Sequence, residues 1–273
     1  MKMKGHLRKM KVDLQTPVDY SLVLDDQLLP LNDKLGEPLK LTHTGQIHCV
    51  ACGRLTKKSF NQGYCFPCVR SLAQCDMCIV RPELCHYDEG TCREPEWGDK
   101  HCMQPHYVYL SNTSGAKVGI TRHTQIPTRW IDQGAVQALP IMEVSSRLLS
   151  GLVEVELKNY VDDKTQWQRM LKGGIEERDL EALRDEMFEE SEREIEALQE
   201  RFGEDAIERL EYEDLVDIEY PVLEYPKAVK SMNFDKTPEV SGVLKGIKGQ
   251  YLIFDTGVIN MRKFGGYEIE VEV

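Results

Sequence analysis

The chain has 273 residues, 46 Asp+Glu against 34 Lys+Arg, and 41% hydrophobic residues, a length for roughly two domains and an ordinary globular composition. No apolar run approaches the ~18–20 residues of a membrane helix, and the basic start at Met1–Met10 has no apolar stretch behind it, so no secretory signal is expected and the chain is read as cytoplasmic. The formal net charge of −12 lacks an overall basic footprint, but the acidity is local: residues 174–220 hold 20 Asp+Glu and 5 Lys+Arg, net −15, leaving +3 for the rest, so net charge does not decide the partner.

In chain order, residues 1–48 read as short strands: Ser21-Leu22-Val23-Leu24 is an apolar run, and Pro17, Pro30, Asn32-Asp33 and Gly36-Glu37-Pro38 supply turns. Residues 49–105 are cysteine-rich and poor in long apolar runs, so they need a metal to hold them. Residues 106–173 change character. His106–Leu110 and Lys117–Thr121 read as two strands, and Asn112-Thr113-Ser114-Gly115 between them is turn chemistry for a hairpin. A short helix is predicted from Pro127 to Gln133 with Gly134 as its stop, then a strand over 136–144. A second helix over 145–160 carries Leu148, Leu149, Leu152, Val153 and Leu157 as its apolar stripe.

Residues 174–220 read as acidic helices, with Leu180, Leu183, Met187, Ile195, Leu198 and Phe202 at helical spacing and Ser191 interrupting the stripe. The segment is expected to be an insertion on the body, an appendage rather than part of the preceding domain, with a partner-binding helix or a mimic of nucleic-acid charge as the sharper alternative. Residues 221–273 return to strands, clearest at 250–254 and 267–273, and are expected to pack with 1–48 in one small barrel because domain termini usually lie close together.

All nine cysteines fall between Cys49 and Cys102. In a chain read as cytoplasmic, such clustering indicates metal binding rather than disulfides. Cys49-x2-Cys52-x12-Cys65-x2-Cys68 is a pair of knuckles, each aiming two thiolates at one point, and together they make a closed tetrahedral Zn²⁺ site of structural type. Four cysteines also suit an iron–sulfur cluster. A second site is expected to start at Cys75 and Cys78 and to be completed by Cys92 and Cys102, with Cys85, His86 or His101 as substitutes. The expected complement is two structural zinc ions, and one cysteine left over as a small buried hydrophobe.

The run Tyr107-Val108-Tyr109-Leu110, then Lys117-Val118-Gly119-Ile120-Thr121-Arg122, then Arg129-Trp130 resembles the GIY-YIG endonuclease superfamily over about residues 106–160. The whole chain also resembles a bacterial family of uncharacterised proteins that places cysteine knuckles before such a domain. The superfamily resemblance implies that Tyr109 is the first-motif tyrosine, Gly119 the second-motif glycine, Arg129 the helix arginine and Glu154 the metal-binding glutamate. Glu143 and Glu156 remain alternatives to Glu154. Lys117 stands where the second motif has a tyrosine. Phosphodiester hydrolysis needs an activated water and cations on the developing charge. Tyr109 would take a proton from water, Arg122 and Arg129 would hold phosphate oxygens, Lys117 would add positive charge beside Tyr109, and Glu154 would hold one catalytic Mg²⁺. His123 is a candidate proton carrier.

The fold class expected is therefore α+β: a zinc-ribbon-like cysteine segment feeding a small GIY-YIG-like α/β domain, flanked by β-strands and an acidic helical insertion. The function expected is nucleic-acid processing, by a metal-dependent phosphodiesterase or a degenerate relative that binds nucleic acid. The alternative is a non-catalytic, zinc-scaffolded binding module for nucleic acid or protein. A thiol or iron–sulfur redox sensor is the third class.

Overall fold

The structure is a computed structural model that describes residues 2–161 and 165–273. It is a mixed α+β fold with a cysteine cluster near the N-terminus. The two ends of the chain share one antiparallel sheet. Its six strands lie in the order Lys2–His6, Tyr267–Glu272, Pro38–Ile47, Glu239–Lys248, Tyr251–Phe254, Gly257–Asn260. A second sheet of Lys11–Asp13, Asp19–Leu24 and Gln27–Pro30 lies beside it. The reason is period-two patterning: Tyr20, Leu22 and Leu24 on one strand and Tyr267, Ile269 and Val271 on another are all buried, their neighbours less so. These residues meet in one apolar cluster. Within the stretch 221–273 read as strands, Glu239–Lys248 and Gly257–Asn260 had no individual signal, because Gly242, Gly246 and Gly257 dilute their pattern.

The central sheet pairs His106–Asn112 with Ala116–Arg122 as a hairpin and with Gln137–Val144 on its other side, all antiparallel. Both faces are covered. Val108, Leu110, Val118, Leu139 and Ile141 pack beneath the helix Arg147–Leu157 through Leu149, Val153 and Leu157. Tyr109 and Ala138 face the other way, into the terminal β-structure, with Trp130 and Ile131 of the short helix Thr128–Asp132. Ser146 caps the longer helix by accepting from the Leu149 amide at 3.3 Å. Ala116–Arg122 is left as an edge strand among the described residues.

The acidic segment differs from its expected role as an appendage. Its helices Leu180–Glu190 and Glu192–Phe202 bury Leu180, Met187, Phe188 and Ile195 in the same cluster as Val108 and Leu139. The chain then adds Ile207–Arg209 and Val216–Asp217 to the free side of Gln137–Val144. Its apolar stripe covers a sheet face that one helix leaves partly open, and its charges ride on the outer surface. Exchanging it for a short linker would therefore uncover the core of residues 106–160.

Residues 49–105 hold only short helices, 3₁₀ turns and isolated bridges. One turn, Pro82–Leu84, lies against the helix Arg147–Leu157 at Gly151. A Cβ there would stand 2.4 Å from the Glu83 amide nitrogen and 2.6 Å from the Pro82 carbonyl carbon. Backbone cannot swing aside, so Gly151→Ala should cost roughly 1–3 kcal/mol in denaturant unfolding, as overpacking does, despite alanine's better helix propensity.

His106, at the start of the central sheet, is fully buried. Its Nδ1–H donates to the Gln104 carbonyl at 2.7 Å, and Nε2 has no partner among the described residues. Burial, with Arg147 and Arg122 adding to it, pushes its pKa down to about 4. The unfolded chain takes up this proton near pH ~6.5 and the folded chain does not, so the contribution is intact above that pH. Stability should fall as pH drops from there towards 4, by up to roughly 3 kcal/mol from this residue. Unfolding free energies measured across that window should show a shallower slope in His106→Gln.

Candidate functional site

The cysteine segment and a cleft on the edge of the central sheet each gather chemistry-bearing side chains. In the first, the thiol sulfurs of Cys49, Cys52, Cys65 and Cys68 all lie within 4.8 Å of one another, a group that can hold a metal ion. The Cys52 and Cys65 sulfurs are 3.8 Å apart, about the edge of a tetrahedron with ~2.3 Å metal–sulfur bonds. The local chain explains the convergence. Gly53 turns at φ +68° so that its amide bonds back to the Cys49 carbonyl at 2.9 Å. In the second knuckle, Cys65 is the N-cap residue of the helix Phe66–Ser71, which carries Cys68 one turn on. Gly63 allows the two knuckles to close, since a Cβ there would meet a Val50 methyl at 2.5 Å. Burial raises the Cys49 thiol, but amides of Cys52, Cys65 and Ala51 outweigh it and bring its pKa down to about 6, which favours the thiolate a metal needs.

Of the remaining cysteines, Cys78, Cys85, Cys92 and Cys102 line one small void with Asp76 and His86. Cys75 is not among them and sits beside Asn61 instead. His101 stacks on Trp97 at 4.1 Å and bonds to its carbonyl, away from the thiols.

The cleft is larger, about 290 Å³, and runs along the edge strand between the helices Thr128–Asp132 and Arg147–Leu157. Every residue from Lys117 to Arg122 contributes to it, as a strand edge does when its backbone is the floor. Lys117, Arg122, Arg129 and Glu154 line it together. Glu143 and Glu156 do not. Glu143 faces Tyr107 across the sheet. His123 packs its ring near Tyr107 at 5.5 Å and is not in the cleft.

Tyr109 lies directly behind the cleft wall. It pairs with Gly119 across the hairpin, whereas Lys117 pairs with Ser111, so Lys117 is a diagonal rather than a direct neighbour. A Cβ on Gly119 would stand 2.7 Å from the Tyr109 hydroxyl. Only glycine lets the phenol reach this depth. The hydroxyl donates to Gln133 Oε1 at 3.0 Å, which leaves the Gln133 amide N–H groups for the cleft. Burial raises the Tyr109 pKa, and the neighbouring Arg129 guanidinium only partly opposes it. The phenol therefore keeps its proton at neutral pH.

Lys9, Arg147, Arg262 and Asp132 complete the lining, giving six cationic side chains against two carboxylates. Asp132 is the organiser: its carboxylate meets Lys9 at 2.5 Å and Arg262 at 3.6 Å, and accepts from Gln250 at 2.9 Å. Arg129 also bonds to the buried Tyr109 hydroxyl. Lys9, Arg147 and Arg262 were not foreseen. Lys9 and Arg262 stand 253 positions apart in the sequence, and no local spacing could have assigned them to one site.

No helix among the described residues is long and apolar enough to cross a membrane. No curated protein and no solved structure matches the chain. The profile of a family described as "Protein of unknown function (DUF2797)" matches residues 36–269, a span that takes in the four-thiol cluster and nearly all of the cleft. On that match over most of its length, the chain belongs to the DUF2797 family.

Proposed function

We propose that the edge-strand cleft binds the phosphodiester backbone of nucleic acid, and that the Cys49–Cys68 cluster is a structural zinc site that helps to shape the protein around it. The observation that carries this reading is the concentration of six cations in one cleft of a chain whose net charge is −12. Such a segregated positive site attracts phosphate against the field of the whole. None of its lining residues comes from the acidic segment 174–220. Arg122 and Arg129 would each donate two N–H bonds to phosphate oxygens. The Gln133 amide, oriented by Tyr109, would donate a third contact from the same wall.

The GIY-YIG-like order of motifs and the carboxylate of Glu154 in this cleft support a hydrolytic version of the reading. Glu154 would hold one Mg²⁺ together with waters and phosphate, and that ion would supply Lewis-acid stabilisation of the departing oxygen. Tyr109 supports the non-catalytic version. A buried, protonated phenol beside a cleft positions Gln133 and does not accept a proton from water, so the binding module stands as the second reading. The partner in either version is DNA or RNA.

The test is binding and cleavage on branched, single-stranded and duplex DNA and on structured RNA, with and without Mg²⁺. Arg129→Ala should weaken binding by ~1.5–3 kcal/mol, the worth of a charged hydrogen-bonding contact, and flatten the salt dependence by about one phosphate's share. Glu154→Gln should bind normally and lose any Mg²⁺-dependent cleavage. Binding lost in Arg129→Ala with no cleavage by any variant selects the binding module. Unchanged binding in Arg129→Ala sinks the cleft as the nucleic-acid site.

A further inference from the structure

We infer that Cys78, Cys85, Cys92 and Cys102 form a second metal centre with four thiolate ligands, and that this centre braces the wall of the cleft. The four side chains surround a single void of about 10 Å³, space for little more than one small sphere. Cys78 and Cys102 are buried, at 9% and 5% exposure. Cys75, the nearest cysteine in sequence, is directed elsewhere.

Asp76, His86, Tyr87 and Arg93 share the void with the thiols, and the Tyr87 hydroxyl is held by Asp99. The Asp76 carboxylate pairs with Arg93 at 2.5 Å and accepts from the Cys78 amide. The His86 ring bonds to the Thr91 hydroxyl at 2.7 Å and reaches Asp76 at 3.6 Å. The Asp76 carboxylate, the Cys78 thiol and the His86 ring lie within 4.8 Å of one another and could themselves hold an ion, but Asp76 is neutralised by Arg93, and the donor set assigned to the centre is the four thiols that line the void. Thiolates in this number select a soft ion with tetrahedral preference, which is zinc in a closed site.

A structural need points the same way. No residue between 73 and 105 enters any of the three apolar clusters of the molecule. Met77, Val80 and Leu84 are exposed. Such a stretch has no core to order it, and a metal crosslink supplies the missing free energy.

The consequence for the cleft runs through the ligands' own backbone. Between Cys78 and Cys85 the chain passes through Ile79, Val80 and Pro82, and all three line the cleft. Arg147, also in the lining, donates to the Ile79 carbonyl at 2.6 Å and to the Cys78 carbonyl at 3.4 Å. The Arg147 amide donates to the Cys102 carbonyl at 2.8 Å. Two ligands of the centre therefore fix the position of a cleft cation and of the wall opposite the edge strand.

The experiment uses the full chain purified from zinc-replete cells. Elemental analysis should find about two zinc ions in the parent protein and in Cys75→Ser, and about one in Cys85→Ser and Cys102→Ser. Amide hydrogen exchange over 77–85 and at the start of the helix Arg147–Leu157 should accelerate at least about tenfold in the latter two variants, and stay unchanged in Cys75→Ser. Neither readout involves nucleic acid, so both stand or fall separately from the phosphate-cleft reading. Only the loss of nucleic-acid binding expected with them rests on it. One ion in the parent protein, loss of an ion in Cys75→Ser, or two ions kept in Cys102→Ser would overturn the assignment. So would loss of an ion in His86→Ala, which would make Asp76, Cys78 and His86 the donors instead. If Cys85→Ser does not fold, the parent, Cys75→Ser and His86→Ala counts still decide.

Discussion

The carboxylate of Asp132 joins the parts of the chain on which the cleft depends. It sits at the end of the short helix Thr128–Asp132 with its side chain only 4% exposed. From there it takes Lys9 from the N-terminal segment, and Arg262 and Gln250 from the C-terminal segment. Gln250 in turn accepts from the Met10 amide at 2.9 Å. A buried charge without partners would cost several kcal/mol, so each of these contacts is enforced by the others. The central sheet and the two-ended β-structure are thereby held in one relation, and two cations are set at the cleft's rim with their stems already ordered.

Around that joint, the cleft is built from what the sheet leaves open. Gln137–Val144 has partners on both sides, because the acidic segment supplies strands for its outer edge. Ala116–Arg122 has one on one side only among the described residues. The acidic helices therefore matter to the cleft at a distance. They cover one face while the strands that follow them close one edge, and none of the segment's acidic residues lines the cleft. An exposed strand edge is a hazard for unwanted pairing. Here helices flank it on both faces and cations crowd it, which blunts strand addition and leaves a polar, positively charged trough.

Gly119 and Tyr109 illustrate how local chemistry and long-range packing combine. The hairpin register brings them opposite each other. The absence of a Cβ on Gly119 lets the phenol lie flat against the strand and reach Gln133. The burial that makes this contact precise in direction also raises the phenol's pKa. The tyrosine that the motif order offers as a proton acceptor is, in its surroundings, a buried donor to Gln133.

The amino-acid sequence by itself determined the elements whose signals are local. The Cys49–Cys68 spacing set the four-thiol cluster, since each knuckle aims its sulfurs through a few bonds. The hairpin at 106–122, the helix within 145–160 and the acidic helices followed from turn residues and helical stripes. Of the five residues that the motif order grouped, Lys117, Arg122, Arg129 and Glu154 line one cleft and Tyr109 lies behind its wall. Tertiary structure alone decided the rest. It made the acidic segment part of the central core, turned Cys75 away from the second group of thiols, and added Lys9, Arg147 and Arg262 to the lining. These outcomes depend on which surfaces meet across long sequence separations, where the free energy comes from burial and from shared ion pairs. Neither leaves a periodic trace in the residues that take part.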